Sequence, residues 1–394
     1  MCDGDAKTGI AACRLRKAGY SYAMTTPWNS EFRVLFVERL LAWFAAHARP
    51  LPWRQDRTPY RVWVAEVMLQ QTQVRTVVPY YERFLARFPT VQAVADAPLE
   101  QVLKTWEGLG YYARARHLYA AARQIVDRCD GQIPGTFDEL LALPGVGRYT
   151  AGAVASIAFG QDVPAVDGNG RRVLCRVLDV RDDVPRSATQ RKLEGLTRDL
   201  LPSGRAGVFN EALMELGATV CTPRAPDCAH CPLQTLCQAH AEGTPEALPV
   251  RPLRRRPPHY DVTAAVTLQA DGRVLVAQRM PDDLLGGLWE FPGGKQEDGE
   301  TLTECLVREM QEEMGVHVEV GESVAVVEHA YTHFRITLHA FCCRLVDGEP
   351  CCLECADFRW VTLGELDELP MSVVNRKVVQ AVQELGCAGL FGRL

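Results

Sequence analysis

The chain has 394 residues, 15 of them cysteines, and carries a formal net charge of −6 at pH 7. A chain of this length predicts two or three domains, and the lack of any run of 18 apolar residues excludes a membrane-spanning helix. No apolar signal core follows the N-terminus, so we expect the protein in a reducing cytoplasm with its thiols free.

The charge is distributed unevenly along the chain. Residues 28–240 contain 25 Lys and Arg against 22 Asp and Glu, a net charge of +3. Residues 261–394 contain 10 against 23, a net charge of −13. The first region tolerates a polyanion, whereas the second repels phosphates unless a bound cation intervenes. The two regions are therefore expected to perform different chemistry.

The first part of the chain predicts a helical domain. Residues 1–27 show no clear periodicity and are either a disordered leader or an over-extended start, with Met24 as the true first residue. Between residues 28 and 240 apolar side chains recur at helical spacing, and few segments are typical of strands.

A linker and a second domain follow. Residues 241–260 are rich in proline and arginine, which is typical of a linker that is stiff in places. Residues 261–394 contain four short runs typical of β-strands and one strongly helical stretch, Leu302 to Met314. The sequence predicts a multidomain chain in which an all-α domain is followed by an α+β domain.

Within the helical domain, Glu66 lies in the string EVMLQQT, among Val64, Val67 and Met68. A carboxyl group in such apolar surroundings is partly desolvated, so its pKa should rise and the group could donate a proton. A solvated glutamate on an amphipathic helix is the alternative interpretation.

Two glycines further along indicate an approach to a polyanion. Gly145 and Gly147 form a Gly-x-Gly turn before a helix of small residues, which allows the backbone to turn sharply and to hold a DNA phosphate on amide groups. Asp167 lies 20 residues after Gly147 and precedes a basic helix. A plain helix hairpin also explains the two glycines.

Four cysteines close this region with the spacing C-x6-C-x2-C-x5-C, namely Cys221, Cys228, Cys231 and Cys237. Soft thiolates select zinc or an iron–sulfur cluster. Gaps of six and five residues fit no common zinc-finger pattern.

In the order hairpin, Asp167 and four-cysteine loop, the chain resembles the helix-hairpin-helix glycosylase superfamily, and the loop matches the [4Fe–4S] loop of its endonuclease III-type members. The string EVMLQQT is similar to the signature of the adenine DNA glycosylases of MutY type, and this resemblance runs from Trp28 to Cys237. It implies base excision repair of double-stranded DNA containing A:8-oxoguanine or A:G mispairs, by a monomeric bacterial enzyme that acts at the nucleoid. In the endonuclease III branch a lysine stands where this chain has Tyr149 and cuts the strand, so the resemblance implies base removal without strand cleavage.

The resemblance also implies roles for individual residues. Glu66 would protonate adenine, Asp167 would stabilise the oxocarbenium-like sugar, and Tyr149 would support both. Gln71 and Tyr111 would fill the gap beside the partner base, with Gly145 and Gly147 on the DNA backbone; core packing is the alternative for Tyr111. The flipped adenine would lie against Arg49, Trp53, Arg54, Leu69 and Glu211.

The acidic domain contains a complete Nudix box at residues 294–316, GKQEDGETLTECLVREMQEEMGV. Glu309, Glu312 and Glu313 fall at i, i+3 and i+4 on one helical face, where carboxylates repel one another unless a hard cation such as Mg²⁺ joins them. Arg308 can anchor this helix to the preceding loop through Glu300. The fixed positions of the box are Gly294, Glu300, Arg308, Glu309, Glu312, Glu313 and Gly315.

This domain resembles the MutT-type 8-oxo-dGTP pyrophosphatases. The resemblance implies that Gly293 and Glu354 join the box in metal binding or catalysis and that Asn375 recognises oxidised guanine. Thr332 and His333 also resemble the loop with which the adenine glycosylases probe 8-oxoguanine in DNA.

Three functions stay open for the chain as a whole. We expect an adenine DNA glycosylase whose Nudix domain also hydrolyses 8-oxo-dGTP to the monophosphate with Mg²⁺. The alternatives are a protein that is primarily an 8-oxo-dGTP diphosphatase, and a Nudix domain that only reads the lesion. Cys351, Cys352 and Cys355 leave a second metal site open beside free thiols.

Overall fold

The structure is a computed structural model that describes residues 29–250 and 256–394. The predicted leader at residues 1–27 and the alternative start at Met24 lie outside the described residues. No helix of the described residues is long and apolar enough to cross a membrane.

The first domain is built from helices joined by short turns. Its α-helices are α1 Ser30–His47, α2 Pro52–Gln55, α3 Pro59–Leu69, α4 Val74–Arg87, α5 Val91–Asp96, α6 Leu99–Trp106, α7 Ala113–Cys129, α8 Phe137–Leu141, α9 Arg148–Phe159, α10 Gly168–Val177, α11 Ser187–Leu200, α12 Ala206–Thr219 and α13 Gln238–Ala241. Short 3₁₀ turns lie at Cys228–His230, Gln234–Leu236 and Pro245–Ala247.

Two hydrophobic cores divide this helical domain into halves. The first core surrounds Trp63, Phe84 and Trp106 and is supplied mainly by α3, α4, α6, α7 and α9. The second surrounds Phe36 and Phe209 and is supplied by α1, α10, α11 and α12. Because α3 belongs to one half and α10 and α12 to the other, side chains from both halves can meet between them.

The second domain is a mixed sheet between two helices. Its elements are β1 His259–Leu268, β2 Val274–Gln278, β3 Trp289–Glu290, α14 Leu302–Met314, β4 His317–Ala330, β5 Arg335–Asp347, β6 Asp357–Val361 and α15 Val373–Phe391, with a 3₁₀ turn at Glu365–Asp367. The strand order is β3-β2-β1-β5-β4, with β6 also paired to β2; β1 and β5 run parallel.

The helix α14 has the bounds predicted from the sequence, and its ends show why. Thr301 caps its start and Glu304 returns the hydrogen bond to Thr301, while Gly315 ends it at a φ of 67°. The helix α15 and the long strand β4 were not predicted. Strand β1 begins at His259, inside the segment predicted as linker, and Leu248 in that same segment is buried against the helical domain.

The two domains share an interface along α6 and the turn after it. The indole of Trp289 donates to Glu100 Oε1 at 2.7 Å, and Tyr112 donates to the carbonyl of Met371 at 3.1 Å. Leu288 of the second domain joins the core that surrounds Trp63. The catalytic candidates of both domains are therefore carried on one continuous framework.

Candidate active sites

A cleft of about 1010 Å³ opens between the halves of the helical domain. It brings together most of the residues that the sequence predicted for base excision. Those lining it are Arg49, Trp53, Arg54, Glu66, Leu69, Gln71, Tyr149, Asp167 and Glu211. Tyr111, Gly145 and Gly147 do not line it.

Glu66 lies near the end of α3 and is 5% exposed. Burial, together with the nearby carboxyls of Asp167 and Glu211, raises the pKa of its carboxyl to about 7, against the hydrogen bond from Tyr149 and the charge of Arg54. The Tyr149 hydroxyl donates to Glu66 Oε2 at 2.5 Å. The arrangement provides a carboxyl that holds a proton near neutral pH.

Asp167 stands at the start of α10 as its N-cap. Its Oδ1 accepts from the backbone N–H of Gly170 at 2.6 Å, and its Oδ2 accepts from the Asn169 side chain at 2.8 Å. Burial raises the pKa of Asp167, while these hydrogen bonds and Arg172 oppose the rise. Two carboxyls with unlike surroundings therefore face one cleft.

The wall of the cleft contains an ion-pair network that the sequence did not reveal in full. Glu211 and Glu215 lie one turn apart on α12, and Arg54 pairs with both, at 3.3 and 3.0 Å. Arg49 pairs with Glu215 at 2.6 Å. Sequence reasoning named Glu211 but missed Glu215 and Asn169; the i, i+4 spacing of the two glutamates was the only signal.

Tyr149 lies in the first turn of α9, directly after the glycine turn. Gly145 has a φ of +70°, and a Cβ there would lie 2.4 Å from His117 Cβ, so only glycine fits. Gly147 is the N-cap of α9. A Cβ added there would have no other atom within 4 Å, so the space beside Gly147 is open. No lysine lines the cleft among the described residues.

The four cysteines of the loop line one small pocket beside α10 and α12. All four are free thiols, and Arg176 donates to Cys221 Sγ at 3.2 Å. Burial and the neighbouring thiols raise the pKa of Cys231 to about 12. Four soft ligands beside a buried guanidinium fit an anionic iron–sulfur cluster. Among the described residues, no three or more candidate ligands are arranged closely enough to hold a single metal ion.

Two residues with unusual backbone stand at the edge of the helical domain. Gln71 and Tyr111 have φ values of 58° and 50°, and both are exposed. The Tyr111 hydroxyl lies 2.8 Å from Thr332 Oγ1 in the second domain, and His333 beside it is exposed. Strained, exposed residues of this kind are typical of functional surfaces.

The Nudix-box carboxylates lie on α14, as their spacing predicted. Arg308 donates to Glu309 and Glu312 at 2.9 Å each and pairs with Glu300 at 2.7 Å, which holds the pKa of Glu300 at about 2. Glu313 accepts from the backbone of Gly293 at 3.1 Å, and burial raises its pKa to about 8.

The glycine loop packs directly onto these carboxylates. A Cβ on Gly294 would lie 2.3 Å from the Glu309 carboxyl, so this glycine allows the loop and the helix to touch. An oxygen-rich set of this kind fits Mg²⁺. Because Arg308 donates to both Glu309 and Glu312, a cation would have to share these carboxylates with its guanidinium.

The remaining residues of the second domain are distributed less tightly. Glu354 is exposed, but its backbone N–H bonds to the carbonyl of Glu313 at 3.4 Å, which keeps it near the box. Asn375 is 6% exposed, and its side chain already bonds the backbone of Phe291 and the hydroxyl of Ser372.

The additional cysteines Cys351, Cys352 and Cys355 are free thiols. No metal-binding group includes them among the residues that the structure describes. A second metal site there stays an untested alternative.

Comparison with known proteins agrees with this architecture. The family described as HhH-GPD superfamily base excision DNA repair protein matches residues 64–199, and the NUDIX domain family matches residues 263–381. The adenine DNA glycosylase of Rattus norvegicus is 38% identical over 89% of this chain and 78% of its own length; that of Homo sapiens is 38% identical over 87% and 73%. A solved thermostable thymine-DNA glycosylase covers 54% of this chain and 98% of its own, with 30% identity and a TM-score of 0.50. The predicted order, a helical glycosylase domain followed by a Nudix domain, is confirmed.

Proposed function

The chain belongs to the adenine DNA glycosylase family, and from that premise we propose that it removes adenine mispaired with 8-oxoguanine or guanine from double-stranded DNA. The Glu66 carboxyl carries the proposal, because it combines burial, a pKa of about 7 and a hydrogen bond from Tyr149 in a cleft of suitable size. Glu66 would protonate the adenine ring and make it a leaving group.

The other side chains of the cleft would complete the reaction. Asp167, held by Gly170 and Asn169, would stabilise positive charge on the sugar and help to position water. The flipped adenine would lie against Trp53, Leu69 and Arg49, with Glu211 as a hydrogen-bond acceptor.

We further propose that the enzyme is monofunctional. Strand cleavage of the endonuclease III type needs an amine that attacks the sugar, and the corresponding position is a phenol, Tyr149, already bonded to Glu66. The expected product is therefore an abasic site in an intact strand.

Recognition of the mispair would involve both domains. Gln71 and Tyr111 would enter the duplex beside the partner base, with the hairpin amides at Gly145 and Gly147 on the DNA backbone. Thr332 and His333 would read 8-oxoguanine. The contact between Tyr111 and Thr332 supports a shared site, since it joins the two reading elements before DNA is bound.

The cysteine loop is proposed to hold a [4Fe–4S] cluster through Cys221, Cys228, Cys231 and Cys237. When bound, the cluster would cross-link a loop that has little regular structure. Arg176 would stabilise it, because its guanidinium joins Cys221 Sγ to the carbonyls of Thr222 and Leu248.

A second activity is proposed for the Nudix domain, the Mg²⁺-dependent hydrolysis of 8-oxo-dGTP to 8-oxo-dGMP and pyrophosphate. The observation in its favour is an intact box in which Glu309, Glu312 and Glu313 share one face of α14 against the glycine loop. Bound Mg²⁺ would neutralise the phosphates of the substrate. Asn375 would read the oxidised base, and Glu354 would assist at the metal.

One pair of assays on the purified full chain tests these functions together. The first measures adenine release from A:8-oxoguanine, A:G and A:T duplexes in a single turnover. The second measures pyrophosphate from 8-oxo-dGTP with and without Mg²⁺. Hydrolysis without adenine release would favour the alternative of a diphosphatase, and adenine release without hydrolysis would favour a Nudix domain that only reads the lesion.

A further inference from the structure

Glu215 is the most buried carboxylate in the wall of the cleft, and the proposed mechanism gives it no role. Only 1% of it is exposed. Its oxygens accept from Arg49 Nε at 2.6 Å, Arg49 Nη2 at 2.8 Å, Arg54 Nη2 at 3.0 Å and the backbone N–H of Arg49 at 3.2 Å. These four bonds use nearly the whole acceptor capacity of a carboxylate. They outweigh the burial that would raise the pKa of Glu215, so its pKa lies below the ordinary value.

Arg54 is fixed completely by this arrangement. Its Nε donates to Glu211 at 3.3 Å, its Nη1 donates to the carbonyl of Arg49 at 3.1 Å, and its Nη2 donates to Glu215. The guanidinium also packs over the ring of Phe44, with 5.1 Å to the centroid. Because every nitrogen is engaged, Arg54 is a fixed charge of the wall. Arg49, whose side chain is 36% exposed, is the more open of the two arginines that pair with Glu215.

The position of this charge matters to the proposed acid. The groups acting on Glu66 are Tyr149, Asp167, Glu211 and Arg54, and Arg54 is the positive charge among them. A guanidinium that moved closer to Glu66 would favour its ionised form, which cannot donate a proton. Glu215, the carboxylate that accepts from Arg54 Nη2, lies one helical turn beyond Glu211 on α12.

We propose that Glu215 is a positioning residue for adenine excision, which acts by fixing the guanidinium groups of Arg49 and Arg54 in the wall of the cleft. The proposal rests on the proposed role of Glu66 as the proton donor. Glu215 would act through the two arginines and not through the base. Its loss leaves two cations with free donors, and Arg54 turns toward the remaining carboxylates.

The test compares Glu215→Gln with Glu242→Gln in the full chain. Glutamine keeps the shape and removes the charge, and Glu242 is a matched control because it pairs with Arg181 at 2.5 Å outside the cleft. Single-turnover adenine release is measured from pH 5.5 to 9, and KM is measured separately under multiple-turnover conditions. For Glu215→Gln we expect KM to rise. We also expect the alkaline limb of the pH–rate profile, where the rate falls with rising pH, to move to lower pH by about half a unit or more, which is about a threefold loss of rate at pH 8. Glu242→Gln should keep both values.

A second variant gives an effect of the opposite sign. Arg54→Met removes the positive charge and leaves Glu215 paired with Arg49, so the alkaline limb should move to higher pH even as the rate falls. A purely structural role would lower the rate at all pH values without moving either limb, and that result overturns the proposal. If Glu215→Gln does not fold, Arg54→Met is sufficient as a test: an alkaline limb that stays at the same pH in this variant overturns the proposal. Failure of the proposed function is distinguishable, since it appears as an absence of adenine release by the unmodified chain, and failure of the role proposed for Glu66 appears as adenine release that survives Glu66→Gln.

Discussion

Replacement of Glu66 by glutamine is the most direct perturbation of the cleft. With a pKa of about 7, about half of the Glu66 carboxyls carry a proton at pH 7, whereas at the ordinary value of 4.5 only about 0.3% would. Burial in α3 therefore increases the population of the acid on the order of 10²-fold. Glutamine keeps the shape and cannot donate the proton, so we expect adenine release to fall by about 10²–10⁴-fold.

The pH dependence of adenine release by the unmodified protein tests the same role of Glu66. Because Glu66 is proposed to act in its protonated form, activity should be present below its pKa and should be lost as the pH rises through about 7, by about tenfold per unit at higher pH. The hydrogen bond from Tyr149 lowers this pKa, so Tyr149→Phe should move the alkaline limb upward while it lowers the rate.

The assay is single-turnover release of adenine from an A:8-oxoguanine duplex, with binding of the same duplex measured separately. Glu82→Gln serves as the matched control, since Glu82 is exposed on α4. We expect Glu66→Gln to bind the duplex normally. A variant that keeps more than half of the rate, or a rate that does not decline between pH 7 and 9, would refute the assignment of Glu66 as the acid.

Three further predictions concern other parts of the chain. Incubation with A:8-oxoguanine duplex and borohydride should trap no protein–DNA adduct, because Tyr149 replaces the amine; efficient trapping would show another nucleophile. Glu313→Gln should abolish Mg²⁺-dependent 8-oxo-dGTP hydrolysis and spare adenine release, and hydrolysis equal to the unmodified chain would remove Glu313 from that chemistry. Gly145→Ala should lower the melting temperature, since a left-handed backbone alone costs about 1–2 kcal/mol for other residues and the new Cβ would meet His117; Gly147→Ala, at a φ of −87°, should not.

The sequence predicted the elements that are defined by local signals. The helix α14 has a capping box, a terminal glycine and a charged face, and its bounds matched. Strand β4 was missed because its pairing with β5 is irregular around Ser323, so that inward and outward residues do not alternate cleanly. Helix α15 was missed because its first turns are rich in valine, which is typical of strands.

Residues of the candidate site could be predicted where their side chain and neighbouring sequence indicate a role. They could not be predicted where their role depends on partners that are distant in the sequence. Glu66 and Tyr149 were named from the sequence, although 83 positions separate them. Glu215 was not, because its environment is created by arginines 161 and 166 positions away. The contact of Tyr111 with Thr332 joins residues 221 positions apart in different domains, and neither sequence segment contains a signal for it.

The turn between α6 and α7 explains how two domains of different charge can serve one lesion. Glu107 accepts from the backbone of Met371 at 3.2 Å and pairs with Arg376, and Tyr112 bonds the carbonyl of Met371. Met371 lies two residues before the start of α15, which carries Asn375, while Tyr111 of the same turn bonds Thr332. Both elements proposed to read 8-oxoguanine are thus fixed to one short segment of the helical domain. Because these contacts exist in the chain without DNA, the proposed closure over a mispair would need less ordering of the two domains, and more of the contact energy would remain for extruding the adenine.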